Sequence, residues 1–354
     1  MSALDVAIEL LSRLIKTPSF SREENQTADI IHQHLVDTGS NPYRIKNNVI
    51  AKNTYWDDEL PILLLNSHHD TVKPAKSYTN DPFSPEIKDG KLFGLGSNDA
   101  GGALVSLIQT FNRFCDYDNL PFNLLLIASA EEEISGVNGI ALALESFPEI
   151  MGGIVGEPTL MEAAVAERGL MVVDGMSKGK SGHAARQEGI NAIYKGIEAI
   201  EEIKNILFDR KSQYLPDTQA VVTQINAGSQ HNVVPDQCTF VIDVRVNELY
   251  SNREVFAILE KNCSAELKAR SFRLNPSRLP KEHVLFRTIQ HLQIPTYGSP
   301  TLSDQALMPF PTLKMGPGDS ARSHTADEFI FVQEIEEGIH RYQALINELI
   351  KTVS

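Results

Sequence analysis

Apolar residues recur at Leu4, Val6, Ile8, Leu10, Leu11, Leu14 and Ile15, the stripe of an amphipathic helix over 4–16. A second helix is expected over 21–37, with Ser21-Arg22-Glu23-Glu24 as its capping box. The period then shortens, and 47–53 and 60–67 predict strands. Asp99-Ala100-Gly101-Gly102-Ala103 opens a periodic helix over 104–114, and its small residues let that helix pack close to its neighbour. Residues 122–128 form an unbroken apolar run, a buried strand, and 139–146 a helix. Strands alternating with helices are the mark of an α/β fold.

The texture changes after Arg168-Gly169. Strands are expected over 170–176, 221–226, 239–246 and 267–272, and helices over 191–207 and 254–262. The order β-α-β-β-α-β is the ferredoxin-like split arrangement. Helical and strand patterns resume from about 284. The middle piece therefore predicts an α+β insertion at 168–278, inside a first domain made of 1–167 and 279–354.

Composition narrows the class. A chain of 354 residues exceeds one comfortable core, which agrees with two domains. With 42% hydrophobic and 22% charged residues it reads as globular, not disordered. A net charge of −14 argues against nucleic acid as a partner. Cys115, Cys238 and Cys263 are odd in number, far apart and without a CxxC pair, so they read as buried thiols and fit a reducing compartment. The start Met1-Ser2-Ala3-Leu4-Asp5 has no basic and apolar leader pattern. No apolar run reaches the roughly 20 residues of a membrane helix. The expectation is a cytoplasmic protein that binds no membrane.

Chemistry gathers just past the apolar runs. Leu63-Leu64-Leu65-Asn66-Ser67-His68-His69-Asp70, Gly94-Leu95-Gly96-Ser97-Asn98-Asp99, Ile127-Ala128-Ser129-Ala130-Glu131-Glu132-Glu133, Ile154-Val155-Gly156-Glu157 and Ser323-His324 each deliver a histidine or carboxylate. The carboxyl ends of parallel strands are where α/β sheets bind ligands. Two imidazoles and three carboxylates suit zinc or a neighbouring divalent metal. His68 and Asp70 point to the same side of an extended chain, so one can ligate while the other orients it. His69 between them faces away and reads as a packed or exposed histidine. Asp99 alone would read as a helix cap; with the other pieces present, a carboxylate bridging two cations is the stronger reading. Three adjacent glutamates repel one another unless cations compensate, a conflict of the kind found at functional sites. A glutamate there can take a proton from water and pass it to a leaving amine.

These five motifs, in order along almost the whole chain, resemble the acetylornithine deacetylase / succinyl-diaminopimelate desuccinylase family of zinc peptidases and deacylases. The resemblance implies a zinc-peptidase-like catalytic domain with a central mixed sheet and helices on both faces, plus an inserted ferredoxin-like lid and dimerisation domain. It implies two divalent metal ions, zinc first and cobalt second. His68 and Glu157 would hold one, Glu133 and His324 the other, and Asp99 would bridge both beside a cis peptide bond to Ala100. Glu132 would be the general base and acid, and Asp70 the support of His68. In the insertion, His183 of Ser181-Gly182-His183 and Asn232 of His231-Asn232-Val233 would contact substrate or oxyanion. Arg245, with Arg168 at the domain junction, would grip a substrate carboxylate. Two departures stand out: Ala100-Gly101 where many relatives carry Met-Lys, and Glu131 where many carry Asp. Neither removes a ligand.

The expected function is hydrolysis of the amide of an N-acylated amino acid, foremost N-acetylornithine or an acylated citrulline in arginine synthesis, by a homodimer joined through the lid. Its rivals are a di- or tripeptidase or other aminoacylase of the same family and, from a different class, a non-catalytic binding protein that kept the fold.

Overall fold

In a computed structural model, which describes residues 1–186 and 188–353, the contacts divide the chain into two units. The first comprises Met1–Val165, Leu279–Tyr297 and the chain from Ser303 onward; the second comprises Ala166–Arg278 and Gly298–Leu302.

The first unit is built on a mixed sheet. Its centre is a parallel block of Asn123–Ser129, Ile62–His68, Ile150–Val155 and Thr312–Lys314, in that spatial order. Asn48–Lys52 and Tyr43–Ile45 continue it antiparallel at one edge, and Ala163–Glu167 pairs antiparallel with Thr312–Lys314. Every residue of Ile62–His68 and Asn123–Ser129 is buried. Strands covered on both faces have no polar side to show, so their sequences read as unbroken apolar runs. On one face Ile50, Leu64, Leu125, Ile127 and Val155 pack with the short helix Ile140–Leu144 and Phe147. On the other lies the helix Gly102–Phe114, flanked by Ala3–Ile15 and the C-terminal helix Val332–Val353.

Register decides what the strand ends present. His68 pairs with Ser129 on one side, and Asn66 pairs with Val155 on the other. The residues just beyond these pairs are Glu131–Glu133 and Glu157, so three chain segments leave the sheet at one level.

Several bounds differ from expectation. The helix expected over 191–207 ends at Lys204, the strand expected over 267–272 ends at Ala269, and the second unit also takes in Gly298–Leu302. The second helix departs most. The helix expected over 21–37 begins only at Asn25, and Glu24 caps it without a side-chain hydrogen bond. The residues read as a capping box have other partners. The Ser21 hydroxyl donates to Asp70 Oδ2 at 2.7 Å, and the fully buried Glu24 carboxylate accepts from Arg22 N, Asn47 Nδ2 and Glu131 N. The genuine capping box of this region is Ser2 with Asp5, at the start of Ala3–Ile15.

The second unit carries a four-stranded antiparallel sheet in the order Gln219–Ala227, Gln237–Val246, Gly169–Lys178, Glu266–Ala269. Counted along the chain this is 2-3-1-4, the ferredoxin-like order. Burial alternates along Gly169–Lys178 and Gln237–Val246. Their inner face, with Met171, Val173, Phe240, Ile242 and Val244, packs against Ala199 and Ile203 of the helix Ala192–Lys204 and Val255 and Leu259 of Asn252–Asn262. Among the described residues all three cysteines are free, and no helix is long and apolar enough to cross a membrane.

Gly175 stands opposite Phe240 in this sheet. A Cβ at Gly175 would lie 2.1 Å from the Phe240 ring, so the aromatic ring occupies the space a side chain would need. Gly175→Ala is expected to destabilise the protein by about 1–3 kcal/mol through overpacking, read as a lower urea midpoint with unchanged slope. An unchanged midpoint would show that the ring moves aside without cost.

Candidate metal centre

His68 is the last residue of its strand and is 1% exposed. Its Nδ1 donates to the Asp70 carbonyl at 2.9 Å and lies 3.6 Å from the Asp70 carboxylate. This fixes the tautomer and turns Nε2 outward. Nε2 then lies 3.2 Å from Asp99 Oδ1, 3.8 Å from Glu157 Oε1 and 3.9 Å from Glu132 Oε2. The other Asp99 oxygen, Oδ2, is 3.5 Å from His324 Nε2, which is 3.0 and 3.2 Å from the two oxygens of Glu133. Asp99 thus stands between the two imidazoles, one oxygen toward each. Two sets of donor atoms, His68-Asp99-Glu133 and His68-Glu132-Glu157, lie close enough to enclose a cation. The peptide bond from Asp99 to Ala100 is cis.

His69 is buried and occupied elsewhere. Its Nε2 donates to the Asn47 carbonyl and its Nδ1 lies 2.9 Å from the Thr27 hydroxyl. Burial drives its pKa down to about 4, so it is a neutral packing histidine. Glu131 also turns away from the cluster, its carboxylate accepting from Asn138 N and Nδ2.

The loops that carry the candidate ligands are held by other carboxylates. Asp70 accepts from the backbone N–H of Glu132 at 3.0 Å and of Glu133 at 3.2 Å, besides the Ser21 hydroxyl. Glu24 accepts from Glu131 N. Glu328 accepts from the N–H groups of Gly96, Asn98 and Asp99. Asp304, 3% exposed, accepts from Ser129 Oγ at 2.6 Å. Asp304 and Glu328 stand in none of the motif positions assigned a role from the sequence, and Glu24 has one there only as part of a capping box. Of Asp304 and Glu328, only Glu328, directly before the apolar triplet Phe329-Ile330-Phe331, leaves a local trace.

Crowded acids without a cation hold protons. Burial raises Glu132 well above the carboxylate range, helped by Glu157, Asp304 and Glu133 and opposed by His68. Glu157 is raised to about 8 by burial and by Asp99, against His68 and Lys314. Burial takes Asp304 to about 6, and burial with the Asp99 charge takes Glu328 to about 7. Burial acts to lower His68, but Asp70, Asp99, Glu132 and Glu157 outweigh it and raise it well above its usual value. His324 rises to about 9, chiefly through its hydrogen bond to Glu133. Burial would raise Asp99 and Asp70 as well; the hydrogen bonds and charge of His68 override it and lower both.

The residues expected in the insertion lie in the second unit. The exposed His183, in the two-residue strand Gly182–His183, pairs with Val233, and the Asn232 carbonyl accepts from Ala184 N at 3.1 Å. His183 and Asn232 therefore stand close together. Arg245 makes a two-pronged contact with Asp243, Nε at 2.8 Å and Nη2 at 3.2 Å. Arg168 is 9% exposed and donates through Nη2 to the carbonyls of Asp217 and Arg245. Burial and the nearby Arg245 lower its pKa, and its Nε has no hydrogen-bond partner among the described residues.

Residues 64–348 match Peptidase family M20/M25/M40. The chain is similar to a succinyl-diaminopimelate desuccinylase of Wolbachia sp. subsp. Brugia malayi (strain TRS), 26% identical over 377 residues, covering 98% of this chain and 88% of the relative. In fold it is similar to aminopeptidase PepT from Bacillus cereus ATCC 10987, with a TM-score of 0.74, 20% identity and 98% of both chains covered. It is also similar to the Bacillus subtilis YXEP protein, a dinuclear metal binding peptidase from the M20 family, with a TM-score of 0.73, 17% identity and 99% of both chains covered. With residues 64–348 matched and two candidate cation-binding sets at its strand ends, the chain belongs to peptidase family M20/M25/M40 and is a metal-dependent amidohydrolase.

Proposed function

We propose that the chain is a cytoplasmic di-zinc deacylase that hydrolyses an N-acylated amino acid, foremost N-acetylornithine or an acylated citrulline in arginine synthesis, with cobalt as the alternative metal. The observation that carries this reading is the position of Asp99, one oxygen toward His68 and the other toward His324, among buried carboxyl groups whose pKa values burial pushes up. The donor set fits a pair of divalent cations: imidazole nitrogens and carboxylate oxygens only, with charge repulsion that cations would relieve. His68 and Glu157 would hold one cation, Glu133 and His324 the other, and Asp99 both. Such a pair polarises an acyl carbonyl and makes water a nucleophile near neutral pH.

The chain's own groups supply the rest. Glu132 takes the proton from the attacking water and delivers it to the leaving amine, a role supported by its carboxylate lying 3.9 Å from His68 Nε2 beside the candidate ligands. Asp70 keeps His68 in its ligating tautomer. His183 and Asn232 donate to the oxyanion, and Arg245 with Arg168 takes the substrate carboxylate. The buried Arg168 Nε, without a hydrogen-bond partner among the described residues, supports an anionic ligand there, with Arg245 beside it held by Asp243. The desuccinylase relative supports an N-acyl amino acid over a peptide. A screen of N-acetyl and N-succinyl ornithine, citrulline, lysine and diaminopimelate against di- and tripeptides tests this, with zinc or cobalt added. Turnover is expected on an acylated ornithine or citrulline, and a preference for peptides would move the chain to the peptidase reading. Glu132→Gln is expected to lower kcat about 10²–10⁴-fold at unchanged metal content; a loss under tenfold would end the assignment of Glu132 as base.

A homodimer through the second unit is part of the proposal. The edge strand Gln219–Ala227 exposes Val221 and Ile225, and Ala192–Lys204 exposes Tyr194 and Ile197. An unpaired edge with apolar side chains is a template for a second copy. Sedimentation equilibrium should give twice the chain mass, falling to one on Ile225→Lys; a wild-type monomer at micromolar concentration would end this part.

The protonation pattern makes a separate prediction. Glu157 and Asp304, at about 8 and 6, and His324, at about 9, all have folded pKa values above their unfolded ones. Each stabilises the metal-free fold at low pH, and that stabilisation is lost as pH rises through about 6 to 9. The chelated protein should therefore melt lower at pH 9 than at pH 5.5. Cation binding must displace these protons. Calorimetry in buffers of different ionisation enthalpy should show protons released at pH 6.5 and fewer at pH 9; heats independent of buffer would contradict it.

A further inference from the structure

We infer that Glu328 is a positioning residue that aims Asp99 by holding the backbone turn before it. This rests on the proposed role of Asp99 as the shared cation ligand. Glu328 is 2% exposed and both its oxygens are engaged: Oε1 accepts from Asn98 N at 2.8 Å and Asp99 N at 2.9 Å, and Oε2 from Gly96 N at 3.1 Å. One buried side chain thus satisfies three N–H groups in four consecutive residues. Those groups lie at a sharp turn, since Gly96 has φ +74° and Gly94 φ +146°. Buried amides without acceptors are costly, so the turn depends on this carboxylate.

The placement of Glu328 is fixed independently. It directly precedes the strand Phe329–Phe331, whose Phe329 and Ile330 pair with Phe93 and Leu92. Its carbonyl extends that ladder by accepting from Gly94 N at 3.0 Å. The side chain then reaches the turn that follows Gly94. From the same late segment, Asp319 exchanges backbone hydrogen bonds with the Asn98 amide: its N–H donates to Asn98 Oδ1 and its carbonyl accepts from Nδ2, each at 3.0 Å. The Asn98 Nδ2 also lies 3.4 Å from Ser323 Oγ. Residues 319–328 include His324. The stretch of chain that delivers the second imidazole therefore also clamps the turn that delivers Asp99, and the 3.5 Å separation of His324 from Asp99 is set within one hydrogen-bonded body.

The geometry calls for a carboxylate. Three donors approach from two directions, and two acceptor oxygens answer them. A glutamine has one acceptor oxygen, and its NH₂ would face either Gly96 N or the pair at Asn98 and Asp99. An alanine leaves all three unanswered.

The test uses the full chain, stripped of metal by chelation, as wild type, Glu328→Gln and Glu328→Ala. Hydrogen exchange at Asn98 and Asp99 is expected to accelerate tenfold or more in both variants, while the amides of Gly102–Phe114 keep their wild-type protection. Glu328→Gln keeps the side-chain volume and carries the test should Glu328→Ala not fold. Cobalt titration followed by visible absorption is expected to show affinity lowered about 10–100-fold, the range for partners that orient ligands, with an altered ligand-field spectrum. Faster exchange with unchanged cobalt affinity and spectrum would overturn the positioning role, as would exchange left at the wild-type rate. A wild-type protein that takes up no cobalt would instead overturn the metal reading itself, and the role of Glu328 with it.

Discussion

Mutual repulsion among carboxylates at the ends of three parallel strands is the constraint on which the first unit turns. Asp99, Glu132, Glu133, Glu157 and Asp304 crowd around His68, largely out of water. Two imidazoles and Lys314, which acts on Glu157, are the opposing charges that the pKa shifts register there. Left alone, such a cluster answers by taking up protons, and the upward shifts of Glu132 and Glu157 record that. Protons and divalent cations relieve the same repulsion.

Holding mutually repelling groups in place requires rigid attachment, and the fold attaches them through peptide N–H groups. The sheet fixes His68 by its register with Ser129. The loops have no ladder of their own, so other acids supply acceptors: Asp70 to Glu132 and Glu133, Glu24 to Glu131, Glu328 to the turn before Asp99. Asp70 has a double duty. Its carbonyl orients His68 while its carboxylate fixes the next loop, so one residue couples ligands from two neighbouring strands. This second set of acids adds negative charge to an already acidic region. The benefit is that a charged acceptor binds backbone donors more strongly than a neutral one. Bound cations would settle the electrostatics of both sets together.

How much of this could be read from sequence follows from how each feature is encoded. The buried strands were legible because burial on both faces writes unbroken apolar runs such as Leu63-Leu64-Leu65 and Leu124-Leu125-Leu126. The second unit was legible in part because burial on one face writes alternation, as in Phe240, Ile242, Val244 and Val246 of Gln237–Val246. The five candidate pieces could be singled out because they occur in order, most of them just past an apolar or glycine-rich run; the choice of Glu133 among three adjacent glutamates came from the family resemblance. The reading of Ser21-Arg22-Glu23-Glu24 as a capping box failed for a local reason. Its spacing matches a helix start, yet Ser21 and Glu24 are drawn instead to Asp70 and Glu131, more than 40 residues away in sequence.

That failure and the invisibility of Asp304 and Glu328 have the same origin. A metal ligand must combine with other ligands, so its residue type recurs among a small set and the set can be recognised. An acid whose partner is a peptide N–H has no such set, because every residue but proline offers that donor. Glu328 acts on Gly96, Asn98 and Asp99 through atoms whose identity does not depend on those side chains, so no pairing of residue types betrays it. Such acids become recognisable only after the chain path is known, when a buried carboxylate is found facing consecutive amides. The candidate ligands could therefore be proposed from the chain and its family resemblance, whereas the groups that hold them still had to be found in the fold.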